Sequence, residues 1–584
     1  MEGNKSPVKE NKSGTGSIFS LLKPYSGLVS LLVLFALAGN GVNLIIPLII
    51  SKGIDQYSAG TFVMRNIIFQ FLAAALLIMM FNYLQGIVQT YTSEKAARDL
   101  RRRLSEKISV QSYSYVLNAN PSRLLTNLTS DIDSVKMFIS QAFTSIVSSL
   151  FVIVGASILL ITIHPKLALA VLTIIPLIGG AFYIMLRKVR PLFKKSREVI
   201  DWLNRVINES IMGAMLIRIL NSQQQEYNKF LSANSTSRDL GLSILSLFAA
   251  LIPFITFFSN MAMLTILALG GHFVITGEMT LGNIAAFNNY IGILIFPILV
   301  IGFMSNMIAH ANASYQRVRE VLSTPDVIDK GEYTGKVTGN IRLKNVNVIY
   351  EEKPALKNIN ITIEAGSKVA IIGPTAAGKT QLLYLLTGLI KPGSGQIFFD
   401  DREIDTYRKE HFYRQIGFVF QDSIIFNMTI RDNIAFGFDV TPEQMDRAID
   451  AAELRNYVNS LPEKLDTMIS ERGSSLSGGQ KQRIMLARAL ALDPQILLLD
   501  DFTSRVDRRT ELKIMKNVLS LYPGITIISV TQKIAPIENF DQIILLMESE
   551  IIAAGQHNTL IRTCPEYVQI YNSQRSTSHY EVQS

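Results

Sequence analysis

Up to about residue 310 the chain alternates between long apolar runs and long polar runs. Apolar stretches at about 27–50, 67–88, 143–163, 167–186, 246–270 and 284–308 carry no acidic or basic residue in their central parts. Each is close to the roughly 20 residues a helix needs to cross a hydrocarbon layer of about 30 Å. They predict six membrane spans. Ile163-His164-Pro165-Lys166-Leu167 leaves room only for a tight turn, so spans three and four form a hairpin. The polar stretches after spans two and four each run for about 50 residues, and structureless loops of that length are uncommon. No proline occurs from 192 to 252. These stretches therefore predict helices that continue beyond the apolar segments, joined by turns near 111–122 and 208–222.

After about residue 321 the composition becomes mixed. Strands are predicted at 341–349 and 359–364, then a buried strand Lys368-Val369-Ala370-Ile371-Ile372, then a helix from Lys379. The predicted fold class is multidomain: an all-α six-helix transmembrane domain followed by an α/β phosphate-loop domain. The expected segments are a disordered polar 1–16, a membrane domain over 17–320 and a linker over 321–340. A nucleotide-binding domain over 341–575 and a tail over 576–584 follow.

Composition agrees with the pattern. Of 584 residues, 48% are hydrophobic and 18% charged, and the mean hydropathy is +0.27, too apolar for an average soluble protein. The net charge of +9 lies near the predicted spans, which argues for membrane topology and against nucleic acid as a partner. Lys95, Arg98, Arg101, Arg102, Arg103, Lys107, Arg123 and Lys136 lie between spans two and three, and Arg187, Lys188, Arg190, Lys194, Lys195 and Arg197 after span four. The connections at 51–66, 164–166 and 271–283 are short and poor in cations. Cations stay on the cytoplasmic side, so both termini are expected there, in a multi-pass protein of the plasma membrane. The one cysteine, Cys564, has no intrachain partner for a disulfide. Within the spans, Asn40, Asn43, Asn82, Gln85, Asn260, Asn288 and Asn289 either hydrogen-bond between helices or line a substrate path. Pro47, Pro176, Pro253 and Pro297 read as tolerated kinks or hinges.

The chemistry is concentrated in the second half. Gly373-Pro374-Thr375-Ala376-Ala377-Gly378-Lys379-Thr380 joins a buried strand to a helix, the context a phosphate loop requires. Backbone amides between Gly373 and Gly378 face phosphate, Lys379 reaches the β- and γ-phosphates, and Thr380 holds Mg²⁺. Further on come Leu476-Ser477-Gly478-Gly479-Gln480 and the apolar strand Ile496-Leu497-Leu498-Leu499-Asp500. Together these three elements resemble the nucleotide-binding domain of an ATP-binding cassette (ABC) protein, and the six spans with long helical extensions look like the membrane domain of an ABC exporter. Segment 15–25 resembles that family's interfacial elbow helix.

The resemblance implies roles for single residues. Tyr350 sits where the family stacks an aromatic on adenine. Gln421 resembles the loop glutamine that contacts Mg²⁺, and Asp500 the carboxylate that holds the metal through water. Glu471 looks like the exporter element that touches the turns between membrane helices. Ser477 and Gly479 open a helix that caps the γ-phosphate held by the opposite domain, and Asp507 falls at the loop crossing the dimer interface. The implied cofactors are ATP and Mg²⁺. Ala376 stands where the family usually has glycine.

Two departures alter the expectation. After Asp500 the family usually has glutamate and this chain has Asp501; about 30 residues on it usually has histidine and this chain has Gln532. Loss of one methylene retracts the water-orienting carboxylate by roughly 1–1.5 Å, a misplacement that can cost on the order of 10²-fold in rate. A neutral amide hydrogen-bonds but brings no imidazolium charge. Both changes weaken hydrolysis and spare binding, while Ser477 and Gly479 are intact. The chain thus resembles the degenerate-site subunit of heterodimeric bacterial multidrug ABC exporters, paired with a related, non-identical half-transporter. Uncharged spans point to lipid surroundings and to a hydrophobic or amphipathic cargo such as a drug, lipid or peptide. A homodimeric exporter with two slow sites and a regulatory or channel-like ABC protein are the alternatives.

Overall fold

The computed structural model describes residues 18–326, 329, 331–350, 353–470, 473 and 475–583, with side chains 503 and 576–583 outside the description. The segment 1–16 and Glu471 therefore lie outside the described residues. The chain forms two compact units, Met1–Ser109 with Asn120–Pro325, and Val110–Ala119 with Asp326–Ser584. The short segment Val110–Ala119 thus belongs with the second unit.

Among the described residues of the first unit, six helical stretches are long and apolar enough to cross a membrane: Ile18–Ser58, Met64–Ser109, Pro121–Ile163, Pro165–Met212, Gln223–Ile275 and Leu281–Leu322. The elbow segment is a 3₁₀ helix, Ile18–Tyr25, that runs into the helix Ser26–Ser58. The predicted extensions are single continuous helices: Met64–Ser109 has 46 residues and Gln223–Thr265 has 43. Helix Ile174–Met212 continues through Pro191. A break at Gly213 and the short helix Ala214–Ile219 join it to the next helix.

Polar contacts pin the two ends of the last long helix, Leu281–Leu322. At its start the Asp55 carboxylate accepts from the Thr280 hydroxyl and the Gly282 amide, both at 2.8 Å. Only glycine fits at 282, because a Cβ there would sit 2.1 Å from the Ser51 carbonyl oxygen. Near its end the buried Asp131, 2% exposed, accepts from Arg317 through Nε at 3.0 Å and Nη2 at 2.5 Å. Arg317 Nη2 also donates to Ser314 Oγ. Asp131 closes a π-helical turn, Asn127–Asp131, and such turns re-aim a side chain within a helix. Of the span asparagines, Asn40 and Asn289 donate to carbonyls four residues back in their own helices.

The second unit is α/β. An antiparallel sheet has the order β2-β1-β4-β5, with β1 Ile341–Tyr350, β2 Lys353–Ile363, β4 Ser394–Phe399 and β5 Arg402–Glu403. A second sheet has the order β10-β9-β3-β8-β7-β6. Its strands are β3 Lys368–Ile372, β6 Ile416–Val419, β7 Ile496–Asp500, β8 Thr526–Val530, β9 Gln542–Met547 and β10 Glu550–Gly555. From β9 to β6 all neighbours are parallel, and β10 is antiparallel to β9. Strands β7 and β8 are buried along their whole length, as apolar runs in a covered parallel sheet must be. The loops after β3, β6, β7 and β8 therefore leave from one edge.

The Asp131–Arg317 pair predicts unequal substitutions. Arg317→Ala strands a buried carboxylate and should destabilise the membrane unit by roughly 3 kcal/mol. Asp131→Ala leaves a half-exposed guanidinium in water and should cost about 1 kcal/mol. Thermal melts of both variants in detergent check the order.

Candidate nucleotide site

Four of those loops meet in one cleft. Its volume is about 350 Å³, and its walls include Thr375–Gln381, Gln421, Asp500, Asp501, Thr531 and Gln532. In an open parallel sheet this carboxyl-terminal edge is where ligands bind. The sequence-predicted Gly378, Lys379, Thr380, Gln421, Asp500, Asp501 and Gln532 come together there. Gly373 opens the loop with φ 154° and Gly378 closes it with φ 97°. A Cβ on Gly373 would lie 1.9 Å from the Leu546 carbonyl oxygen, and one on Gly378 2.3 Å from that of Ala355. Ala376, at φ 64°, takes up a left-handed conformation that costs a side-chain-bearing residue roughly 1–2 kcal/mol.

The helix Lys379–Leu386 follows at once. Lys379 Nζ donates to the carbonyls of Gly373 and Pro374 at 2.8 and 2.7 Å. Burial lowers its pKa, opposed by the charges of Asp500 and Asp501. Burial raises the pKa of Asp500 and the charge of Asp501 adds to that, while the Thr380 hydroxyl and Lys379 lower it. Burial also raises Asp501, opposed by Ser504, Lys533, Lys379 and Arg505. The buried Asp500 carboxyl, the partly buried Asp501 carboxyl, the Thr380 hydroxyl and the Gln421 amide oxygen line the cleft, an all-oxygen donor set that suits a hard divalent cation. Thr380, Gln421 and Asp500 would hold Mg²⁺, which would offset phosphate charge. Lys379 has to leave its own loop carbonyls to meet a phosphate.

Asp501 has φ 46°, and its amide donates to the Val530 carbonyl at 3.0 Å. That bond carries the β7–β8 pairing one residue past the strand. The backbone carbonyl of Gln421 accepts from Gln482 Nε2 at 3.3 Å.

The remaining predicted residues lie outside the cleft wall. Ser477 caps the helix Gly478–Leu490 in a reciprocal box with Gln480: Gln480 N–H donates to Ser477 Oγ at 3.3 Å, and Ser477 N–H donates to Gln480 Oε1 at 2.8 Å. A Cβ on Gly479 would come within 3.0 Å of the Arg505 carbonyl oxygen. Asp507 caps the helix Arg508–Leu521 by accepting from Thr510 N–H at 2.9 Å, and hydrogen bonds from the Thr510 hydroxyl and then its amide lower the Asp507 pKa. Tyr350 ends β1 and lines a neighbouring groove of about 290 Å³ with Tyr113, Gln381, Tyr384 and Lys391.

That groove holds a contact the sequence reading missed. The Tyr113 and Tyr384 rings meet edge to face, centroids 5.4 Å apart. Burial raises the Tyr384 pKa, with a hydrogen bond to Tyr113 adding to it. Tyr384 stands on the phosphate-loop helix, and Tyr113 begins a short helix capped by Ser112. The signal for it was a tyrosine pair, Tyr113 and Tyr115, inside a predicted polar turn.

Residues 29–298 match the family model of the ABC transporter transmembrane region, and residues 356–504 that of the ABC transporter. An uncharacterized ABC transporter ATP-binding protein of Bacillus subtilis (strain 168), YfiB, is 32% identical over 95% of this chain and 98% of its own length. An ATP-dependent lipid A-core flippase of Syntrophus aciditrophicus (strain SB) is 31% identical over 84% of this chain and 83% of its own. A bacterial Atm1-family ABC exporter structure with ATP bound superposes with TM-score 0.76 at 22% identity, covering 95% of this chain and 99% of that one.

The raised Asp500 pKa has a consequence for stability. A carboxyl whose folded pKa exceeds its unfolded value favours folding most below the unfolded value and loses that contribution as pH rises through the folded one. At neutral pH without nucleotide, Asp500→Asn should therefore raise the melting temperature, and the gain should shrink as pH falls toward the ordinary carboxylate range. The same variant should lose most of the stabilisation that Mg·ATP confers. Melts across pH, with and without Mg·ATP, measure both effects.

Proposed function

The chain belongs to the ABC transporters, as a half-transporter with fused membrane and ATP-binding domains, and from that premise we propose that its own nucleotide site binds ATP but cleaves it slowly. It is an ATPase-coupled, multi-pass membrane transporter of the exporter fold that works with ATP and Mg²⁺. The observation that carries the proposal is the composition of one cleft. The binding groups Gly378, Lys379, Thr380 and Asp500 accompany Asp501 and Gln532 where the family has glutamate and histidine.

Binding and cleavage draw on different groups. Loop amides and Lys379 hold the phosphates, and Thr380 and Asp500 face the metal. Asp501 has to orient the attacking water, and its shorter arm holds that water farther off. Gln532 offers a hydrogen bond to the γ-phosphate without a positive charge. The intact Ser477 and Gly479 serve a nucleotide held by another chain, with Asp507 at the crossing loop and Tyr350 at the adenine. In this reading the chain pairs with a non-identical half-transporter that carries the glutamate and the histidine. Both termini are cytoplasmic, supported by the cations at 95–136 and 187–197. The cargo is hydrophobic or amphipathic. Uncharged spans support that reading, and lipid is favoured among the classes by the likeness to a lipid A-core flippase.

The test uses the chain alone and then co-expressed with a non-identical half-transporter that carries the glutamate and the histidine. Alone it should retain ATP and turn it over near background; brisk solitary turnover would favour a homodimer and overturn the proposal. In the pair, Ser477→Ala should remove most ATPase activity, at least tenfold, although it lies in the chain with the slow site. Unchanged activity after that substitution defeats the asymmetric arrangement. Asp501→Glu should raise turnover only modestly, since Gln532 remains.

A further inference from the structure

The last helix, Pro565–Gln583, touches the edge of the nucleotide cleft. It is anchored by Tyr567, fully buried and hydrogen-bonded to His557 Nδ1 at 2.7 Å. Tyr567 shares one apolar cluster with Ala370 and Ile372 of β3 and with Ile534 and Ile537, which follow β8. About two turns beyond, Gln574 reaches the loop that carries Gln532. Its Oε1 accepts from the Ile534 amide at 2.9 Å, and its Nε2 donates to the Gln532 carbonyl at 2.6 Å. One side-chain amide thus satisfies two backbone groups of opposite kind, which fixes its orientation. The amide of the intervening Lys533 donates to Thr531 Oγ1 at 3.1 Å. Three hydrogen bonds hold the loop backbone from Gln532 to Ile534, and Gln532 lines the cleft.

We infer that Gln574 is a positioning residue for the nucleotide: by gripping both ends of the Gln532–Ile534 loop it sets where the Gln532 amide meets the γ-phosphate. The inference rests on the reading that Gln532 is the γ-phosphate contact, and extends it to a residue of the terminal helix. A cavity of about 540 Å³, lined by Gln574, Lys533, Ile534 and Glu511 among others, borders the grip. Water from that cavity can rehydrate the two backbone groups when Gln574 is shortened, so the loop loosens without loss of the fold. The γ-phosphate exists in ATP and not in ADP. A change in loop position therefore appears as a change in discrimination between the two nucleotides, which a general packing defect does not produce.

The experiment uses the full chain in its membrane complex. The chain is photolabelled with 8-azido-[α-³²P]ATP, its band is resolved, and Mg·ATP and Mg·ADP compete for the label. Gln574→Ala should lower the preference for ATP over ADP by roughly threefold to tenfold, the net worth of about one ordinary hydrogen bond, with ADP competition and melting temperature unchanged. Gln532→Ala should lower it as far, and the double variant no further. Gln574→Glu keeps the acceptor for Ile534 and loses the donor to Gln532. Its preference should be low at neutral pH and recover as acid protonates the new carboxyl. If Gln532→Ala lowers the preference and Gln574→Ala does not, the inference is overturned while the reading of the cleft stands. If neither lowers it, the assignment of Gln532 to the γ-phosphate fails and the inference with it. Equal loss for ATP and ADP, or a fallen melting temperature, marks Gln574 as structural only and also overturns it.

Discussion

The hydrogen bond from the Asp501 amide to the Val530 carbonyl, 3.0 Å long, ties together the two loops that depart most from the family pattern. It extends a parallel ladder in which Asp500 already pairs with Val530. Strands β7 and β8 are buried throughout, so every backbone group in them must find its partner within the sheet. The positions of Asp501 and Thr531 are thereby set by main-chain pairing that does not depend on which side chains stand there. Glutamate and histidine would occupy the same scaffold. The departure from the pattern thus lies in two side chains and not in the architecture.

Strand β3 connects this edge to two more distant features. On one side its loop feeds the helix Lys379–Leu386, whose Tyr384 meets Tyr113. On the other, Ala370 and Ile372 lie in the apolar cluster that seats Tyr567 and the terminal helix. Close-packed elements move as units rather than deform. A shift of the phosphate loop upon ATP binding thus has direct routes to the segment Val110–Ala119 and to the grip of Gln574. The membrane unit has its own rigid fixtures in Asp55 at one end of Leu281–Leu322 and Asp131–Arg317 near the other.

The extent to which all this could be read in the residues follows the range of the interactions. The spans were legible because a run of uncharged apolar residues has few alternatives to a membrane helix. The phosphate loop and the strand before it were legible because the motif is local and its strand–loop–helix context is contiguous. The ladder that gathers Gln421, Asp500 and Gln532 was not, since strand order β3-β8-β7-β6 is a property of packing. The pairing of Asp131 with Arg317, 186 residues apart, leaves no local mark. Neither does Gln574, one amide among several in a polar helix, 42 residues from its partner Gln532. Ala376 was visible as a substitution, but its positive φ emerges only once the loop is closed.

The proposed separation of holding from cutting rests on where the charges lie. Lys379 is drawn toward Asp500 and Asp501 in a partly buried cleft, and burial makes both carboxyls resist ionisation. Phosphate and a divalent cation bring charges of both signs that relieve these strains together, so the cleft gains by filling. Cleavage asks for something further: a carboxylate at full reach and a cation at the γ-phosphate while charge redistributes. Gln532 is neutral, and Asp501 sits at φ 46° on a backbone bonded to Val530. On the proposed reading, the ladder that shapes the cleft for binding also holds the shorter carboxylate back from the reaction, while the Ser477–Gln480 cap stands on a separate helix.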